Sequence, residues 1–249
     1  MASTHTATES LTGKRIVITG GTTGIGRAIA TLLGSYGAHI FTFGRHQEQL
    51  DEALNAIREA GGQADGITAD SSKQEDIQRV FQQAEEKLGG LDILINSAAL
   101  GAGSLSEMDD ADWRYVIETN LGGYLAAAKE ALNRMLPQKR GHIVLIGSMS
   151  ADVREEGSSV YVATKSAIQG FAESLRKEVN KDGIKVSLVE PGAVGSDMQP
   201  TTPEEERESQ KTGEMLRAED IAVCIHYILT QPERCDVVGI QIRPHLQTI

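Results

Sequence analysis

Thr19-Gly20-Gly21-Thr22-Thr23-Gly24-Ile25-Gly26 (TGGTTGIG) stands directly between the β-branched run Arg15–Thr19 (RIVIT) and an apolar-periodic stretch that reaches about Tyr36. A strand that ends in glycines and reopens as a helix brings backbone close to whatever lies at the strand's carboxyl end. The helix start offers free N–H groups and the positive end of its dipole, so such a turn suits a pyrophosphate. The spacing is not the GxGxxG of the general dinucleotide fingerprint. Taken alone, a tight glycine turn without a ligand is the competing reading.

Outward from this turn, strands and helices alternate to the end of the chain. Residues 38–43 (AHIFTF) read as a second strand and 46–60 as a helix, with Leu50, Leu54 and Ile57 at spacings of four and three. Gln63–Thr68 is a third strand, followed by a helix over Gln74–Leu88. Residues 91–95 (LDILI) and 142–146 (HIVLI) are further strands, separated by one long helix over about 109–135. A helix over 159–180, a strand over 185–189, a helix over 218–230 and a last strand over 237–242 complete the pattern.

Short β-branched runs alternating with helices imply parallel strands joined by crossovers. The expected fold is α/β: a single-domain, doubly wound parallel sheet of about seven strands with helices on both faces, spanning 11–249 after a flexible tail over 1–10. Ligands of such sheets bind at the carboxyl ends of the strands. The polar stretch 196–212 carries Glu204, Glu205, Glu206, Arg207, Glu208 and Lys211, and reads either as a solvated helix or as part of a substrate lid over about 193–217.

Composition excludes several classes. With 40% hydrophobic residues in 249, the chain can bury a core and is not intrinsically disordered. No apolar run approaches the roughly 18 residues of a membrane span. A net charge of −11, from 24 Lys+Arg against 35 Asp+Glu, argues against nucleic acid and against an acidic carrier protein as partners. The two cysteines, Cys224 and Cys235, are not in a CxxC pair and read as free thiols of a reducing compartment. Residues 1–10 lack the features of a signal peptide, so a cytoplasmic location is expected. The six histidines show no metal-ligand spacing, and no metal site is expected. Trp113 and Tyr124, on the long middle helix, read as packing residues.

Tyr161 and Lys165 (YVATK) lie four residues apart on an expected helix, so phenol and ammonium share a face. A free tyrosine, with pKa about 10, is a poor base at neutral pH, and a neighbouring cation favours its phenolate. Ser148 follows the fifth strand, 13 residues before Tyr161, where the return to the Tyr161 helix can bring its hydroxyl beside the phenol.

With these three elements together, the chain resembles the classical short-chain dehydrogenase/reductase family over about residues 11–247. The 19–26 turn is similar to the family's TGxxxGxG cofactor loop, which implies cofactor contacts from Gly20, Thr22, Thr23, Gly24, Ile25 and Gly26. Ser148, Tyr161 and Lys165 stand at the spacing of the family's catalytic serine, tyrosine and lysine, and Asn120 stands where the family has its fourth catalytic residue. The resemblance gives Lys165 two tasks, lowering the Tyr161 pKa and binding the nicotinamide ribose. It gives Asn120 a water linking Lys165 to solvent.

Asp70, with Ser71 beside it, matches the aspartate that contacts adenine; Pro191, Gly192 and Val194 resemble the PGxV segment beside the nicotinamide, and Ser196 falls near its usual Thr. Asn96 and Ala98 match the family's NNAG, whereas Ser97 and Ala99 depart from it, and an alanine there would be strained if the backbone needed φ > 0. The ending Arg243-Pro244-His245-Leu246-Gln247 resembles the RPxxQ of serine-dehydrogenase-like and clavaldehyde-dehydrogenase-like members.

The resemblance implies an oxidoreductase moving a hydride between a nicotinamide and a small polar carbonyl or alcohol, working as a homotetramer or homodimer. NADP(H) is the expected cofactor, with NAD(H) admitted. The second strand ends Phe43-Gly44-Arg45, placing Gly44 where NAD-selective sites carry Asp or Glu, and Arg45 beside it as a donor for a 2′-phosphate. A 3-oxoacyl carrier-protein reductase is the alternative, disfavoured by the ending and the charge. An inactive nucleotide-sensing or scaffold protein is disfavoured by the complete Asn120/Ser148/Tyr161/Lys165 set.

Overall fold

On β1 (Arg15–Thr19) side chains alternate: Val17 joins one hydrophobic core, Ile16 and Ile18 the other, and all three are fully buried. A strand buried on both faces lies in the middle of a covered sheet. The computed structural model describes residues 7–195 and 202–247. Among these, β1 is joined by β2 (His39–Gly44), β3 (Gln63–Thr68), β4 (Ile93–Asn96), β5 (Gly141–Ile146), β6 (Ile184–Pro191) and β7 (Gly239–Ile242) in one seven-stranded sheet of order β3-β2-β1-β4-β5-β6-β7. Every pairing is parallel, so every connection is a crossover.

The helices divide between the two faces. Against Val17, Leu94, Ile143 and Val186 pack α3 (Gln74–Leu88), α5 (Gly123–Gln138) and α7 (Ser159–Val179), through residues such as Phe81, Ala127 and Ile168. Against Ile16, Ile18, Ile95 and Val144 pack α1 (Gly24–Ser35), α2 (Gln47–Glu59) and α9 (Ala218–Leu229), through residues such as Ile29, Leu54 and Ile225. This is the single-domain, doubly wound Rossmann arrangement that the alternating pattern implies. The order reverses between β1 and β4, which opens a crevice at their carboxyl ends.

The middle of the chain departs from expectation. The long middle helix is broken into α4 (Asp110–Ile117), a π-helical turn over Glu118–Gly122, and α5. The break lies where the Asn120 carboxamide exchanges two hydrogen bonds with the backbone of Leu100. Gly123, opening α5, lies so close to the Ser71 carbonyl that a Cβ there would collide with it. Ahead of β1, the Glu9 N–H donates to Thr230 O at 2.8 Å. Part of the polar stretch is α8 (Pro203–Thr212), started by a capping box between Thr202 and Glu205. A short helix not anticipated, α6 (Ser150–Val153), follows Ser148.

Candidate active site

The crevice is a cavity of about 1170 Å³ lined by the 20–26 turn, by the segments leaving β2 to β6 and by Tyr161 and Lys165 of α7. Gly20, Thr22, Thr23, Gly24, Ile25, Gly26, Gly44, Arg45, Asp70, Ser71, Ala98, Ser148, Tyr161, Lys165, Pro191, Gly192 and Val194 all line it. Ser196 lies outside the described residues.

The turn fits a dinucleotide pyrophosphate. Gly20 has φ +66° and Gly24 φ +50°. A Cβ on Gly20 would lie 2.7 Å from Ala98 Cα, and one on Gly26 would collide with the Gly20 carbonyl. α1 opens on Thr23 with no side-chain cap and no acidic residue in its first turn, which leaves its leading N–H groups for an anion. Ala98 and its neighbours are held by Thr19, whose Oγ1 accepts from the N–H groups of Ser97 and Ala98 at 2.9 and 3.0 Å. Ala99 and Ser97 are not among the described non-glycine residues with positive φ, so the departure from NNAG leaves no backbone strain there.

Where the cavity meets the end of β2, Thr22 lies against Gly44, where an added Cβ would be 2.7 Å from Thr22 Cγ2. Arg45 Nη1 donates to the Tyr115 hydroxyl at 3.1 Å, and that hydroxyl donates to Asp70 Oδ2 at 2.9 Å. Asp70 Oδ1 accepts from the N–H and hydroxyl of Ser72 at 3.0 and 2.9 Å. Burial pushes the Asp70 carboxyl up, but the Ser72 and Tyr115 hydrogen bonds and the Arg45 charge bring it below its ordinary value.

At the other end, Ser148 is nine-tenths buried, and its Oγ accepts from the N–H of Ser150 at 3.1 Å. Burial pushes the Tyr161 phenol above its ordinary value; a hydrogen bond with Ser148 pulls it back, and the nearby Glu155 carboxylate raises it further. Lys165 is 2% exposed, and burial pushes its ammonium down to about 8. Its Nζ donates to Ile146 O at 2.9 Å and lies 5.6 Å from the centre of each of the Tyr161 and Tyr124 rings. Burial is the largest cause of the Tyr161 shift and Lys165 is not among its causes, so the expected lowering by Lys165 is not seen and the phenol stands above its ordinary value. The Tyr124 hydroxyl, in the core as expected, also donates to Ile146 O, at 3.1 Å.

Two expected site residues stand behind the cavity wall. Asn96 is 1% exposed; its Oδ1 accepts from Thr19 Oγ1 at 2.9 Å and its Nδ2 donates to Tyr124 O at 3.0 Å, bracing β4 against α5. Asn120 is equally buried; its carboxamide is engaged by Leu100 N and O, both at 2.8 Å, and by Thr164 Oγ1 at 3.4 Å. Leu100 and Thr164 are the protein partners of the Asn120 side chain.

Other cavity residues escaped the sequence reading. Gln247 accepts through Oε1 from Ala193 N at 3.1 Å and lies where a Cβ on Gly192 would need to be, so the chain's ending forms part of the wall. The RPxxQ pattern was its signal. Tyr115 had none, since a tyrosine on an amphipathic helix reads as packing. Glu155, whose Oε1 accepts from Ser150 Oγ at 2.6 Å, also lines the cavity, on the charged stretch between Ser148 and Tyr161 that in sequence points to a polar substrate.

The short chain dehydrogenase profile matches residues 14–207. An uncharacterized oxidoreductase of Staphylococcus aureus (strain MRSA252) is 35% identical over 235 residues, 94% of this chain and 98% of that one. A dehydrogenase/reductase from Sinorhizobium meliloti 1021 superposes with a TM-score of 0.84 at 32% identity, covering 94% of this chain and 95% of that one. A short chain dehydrogenase from Burkholderia cenocepacia J2315, solved in complex with NADP, has a TM-score of 0.83 at 27% identity, covering 94% and 98%. The chain belongs to the short chain dehydrogenase family and is an oxidoreductase of that family.

Proposed function

We propose that this protein is an NADP(H)-preferring oxidoreductase that interconverts a small polar carbonyl compound and its alcohol. The observation that carries the reading is that Ser148, Tyr161 and Lys165 line the same cavity as the 20–26 turn. When bound, a nicotinamide dinucleotide supplies or accepts the hydride.

The chain's own residues do the rest. The Ser148 hydroxyl hydrogen-bonds the substrate oxygen and steadies the charge that develops on it. Tyr161, protonated at neutral pH, gives its proton to that oxygen in reduction and takes it back in oxidation. Lys165 holds its ammonium behind the phenol and offers it to the ribose hydroxyls. Asn120 holds the 100 loop and the widened turn, a positioning role. Arg45, Gly44 and Thr22 form the ribose end, and the NADP complex of the Burkholderia relative supports the cofactor preference.

Glu155, Ser150, Ser158 and Gln247 around the substrate half favour a polar substrate over a long acyl chain. The ending, through Gln247, supports kinship with the RPxxQ members. The 193–217 segment acts as a lid over one catalytic domain, the protein is cytoplasmic, and it works as a homotetramer or homodimer. Light scattering should give at least twice the 26.7 kDa of one chain.

A spectrophotometric screen of alcohols, aldehydes, hydroxy acids and keto acids with NADP(H) and NAD(H) tests the reading. Turnover of a small polar substrate, faster with NADP(H), is the expected result. No turnover with either cofactor, or turnover confined to acyl-carrier substrates, would overturn it.

A further inference from the structure

Arg45, Tyr115 and Asp70 belong to three segments: the turn after β2, helix α4 and the turn after β3. One chain of hydrogen bonds links them. Arg45 donates to Tyr115, Tyr115 donates to Asp70, and Ser72 holds the other Asp70 oxygen with two more. All three line the cavity. The phenol of Tyr115 is used in both directions at once, as acceptor from a cation and donor to an anion. A phenylalanine there would keep the ring and lose both hydrogen bonds.

The interposed phenol has an electrostatic consequence. Among the described residues no direct salt bridge joins Arg45 to a carboxylate, so its charge is steered by Asp70 without being neutralised at contact distance. Arg45 is exposed, and an untethered arginine loses side-chain entropy when it grips a phosphate. Tyr115 removes part of that cost beforehand. It bonds one guanidinium N–H, lies under the cation with 6.0 Å from Cζ to its ring centre, and leaves the remaining N–H groups for a second ligand.

We propose that Tyr115 is a positioning residue for cofactor choice: anchored on Asp70, it holds Arg45 ready for a 2′-phosphorylated adenosine. The inference rests on the NADP(H) reading above. Thr22 complements it, because it fills the space over Gly44 that an NAD-selecting carboxylate would need.

Calorimetry with NADP+, NAD+ and adenosine 2′,5′-bisphosphate on the wild type, Tyr115→Phe, Arg45→Ala and the double variant tests it. Tyr115→Phe should weaken NADP+ and the bisphosphate by about 3- to 10-fold and NAD+ by less. In the Arg45→Ala background it should add nothing, because the residue it positions is gone. Equal losses for both dinucleotides would assign Tyr115 a merely structural role. Tighter NADP+ binding would mean that the clasp competes with the phosphate, and additive losses would uncouple the two residues; each of these overturns the proposal. A wild type that does not bind NADP+ more tightly than NAD+ would remove the cofactor reading and this inference together. A wild type that favours NADP+, with the preference intact in Tyr115→Phe, would remove this inference alone.

Discussion

Lys165 donates through Nζ to the carbonyl of Ile146, the last residue of β5, at 2.9 Å. The bond ties the Tyr161 helix to the strand that delivers Ser148, and it places an ammonium in a site where burial opposes its charge. Lys165→Met should therefore abolish turnover and yet stabilise the unliganded protein at pH 7 by about 1–3 kcal/mol. Ile146 O keeps a donor in Tyr124. The folded-state value of about 8 lies below the ordinary 10.5. The unfolded chain thus holds this proton more tightly, the penalty is complete below pH 8, and it fades as pH rises toward 10.5. Denaturation of wild type and variant across that range should show the gap closing.

Tyr161→Phe should lower turnover by at least ~10²-fold with cofactor affinity within a few-fold. In the wild type, carbonyl reduction should be level near neutrality and fall at alkaline pH, as the phenol loses its proton. Alcohol oxidation should rise over the same interval. Glu155→Gln removes a carboxylate that raises the phenol, so both limbs should move toward lower pH. Profiles that move the other way would contradict the assignment of Tyr161 as the proton donor.

Gly44→Asp should not by itself convert the enzyme to NAD(H), because a Cβ there collides with the Thr22 side chain, 2.7 Å from its Cγ2 and closer still to its Oγ1. The single variant should lose affinity for both cofactors. Thr22→Gly with Gly44→Asp should restore binding and favour NAD(H) by about 10-fold or more, the scale of a charged hydrogen bond. Comparing kcat/KM for both cofactors in the single and double variants checks this; a single variant that switches cleanly would show that Thr22 yields.

At the opposite end of the sheet, Asp92 joins three strand starts, accepting from Arg15 N, Nε and Nη2 and from Arg140 Nη2 at 2.8–3.1 Å. Burial alone would raise its carboxyl, but Arg15 and then Arg140 bring it down to about 2 from 3.8. Stability from this group is present above pH 3.8 and lost as pH falls through 2. After allowance for solvent screening, Asp92→Asn should cost about 1–2 kcal/mol at pH 7. Urea unfolding as a function of pH should show wild type and variant converging near pH 2.

Local patterning made much of this molecule legible in one dimension. α3 spans Gln74–Leu88, where the four-and-three spacing of Ile77, Val80, Phe81, Ala84 and Leu88 puts it, and β1 spans the β-branched run Arg15–Thr19. Those periods decide which face is buried, and burial is what stabilises the element. The glycine turn, Ser148 and the Tyr161/Lys165 pair, which line one cavity, are legible for a related reason: the proposed chemistry needs fixed residue types at short, fixed spacings.

What only the tertiary structure decided are contacts between residues far apart in the chain. The π turn that breaks the middle helix depends on Asn120 meeting Leu100, 20 residues away. The clasp depends on Tyr115 meeting Asp70, 45 away, and the opposite cavity wall on Gln247 meeting Ala193, 54 away. Crowding of Gly44 by Thr22 and the direction of the Tyr161 shift are likewise set by neighbours that crossovers bring in. No local period encodes such meetings, because a side chain's partner across a crevice is chosen by where two separate strands end and not by its own neighbours in sequence.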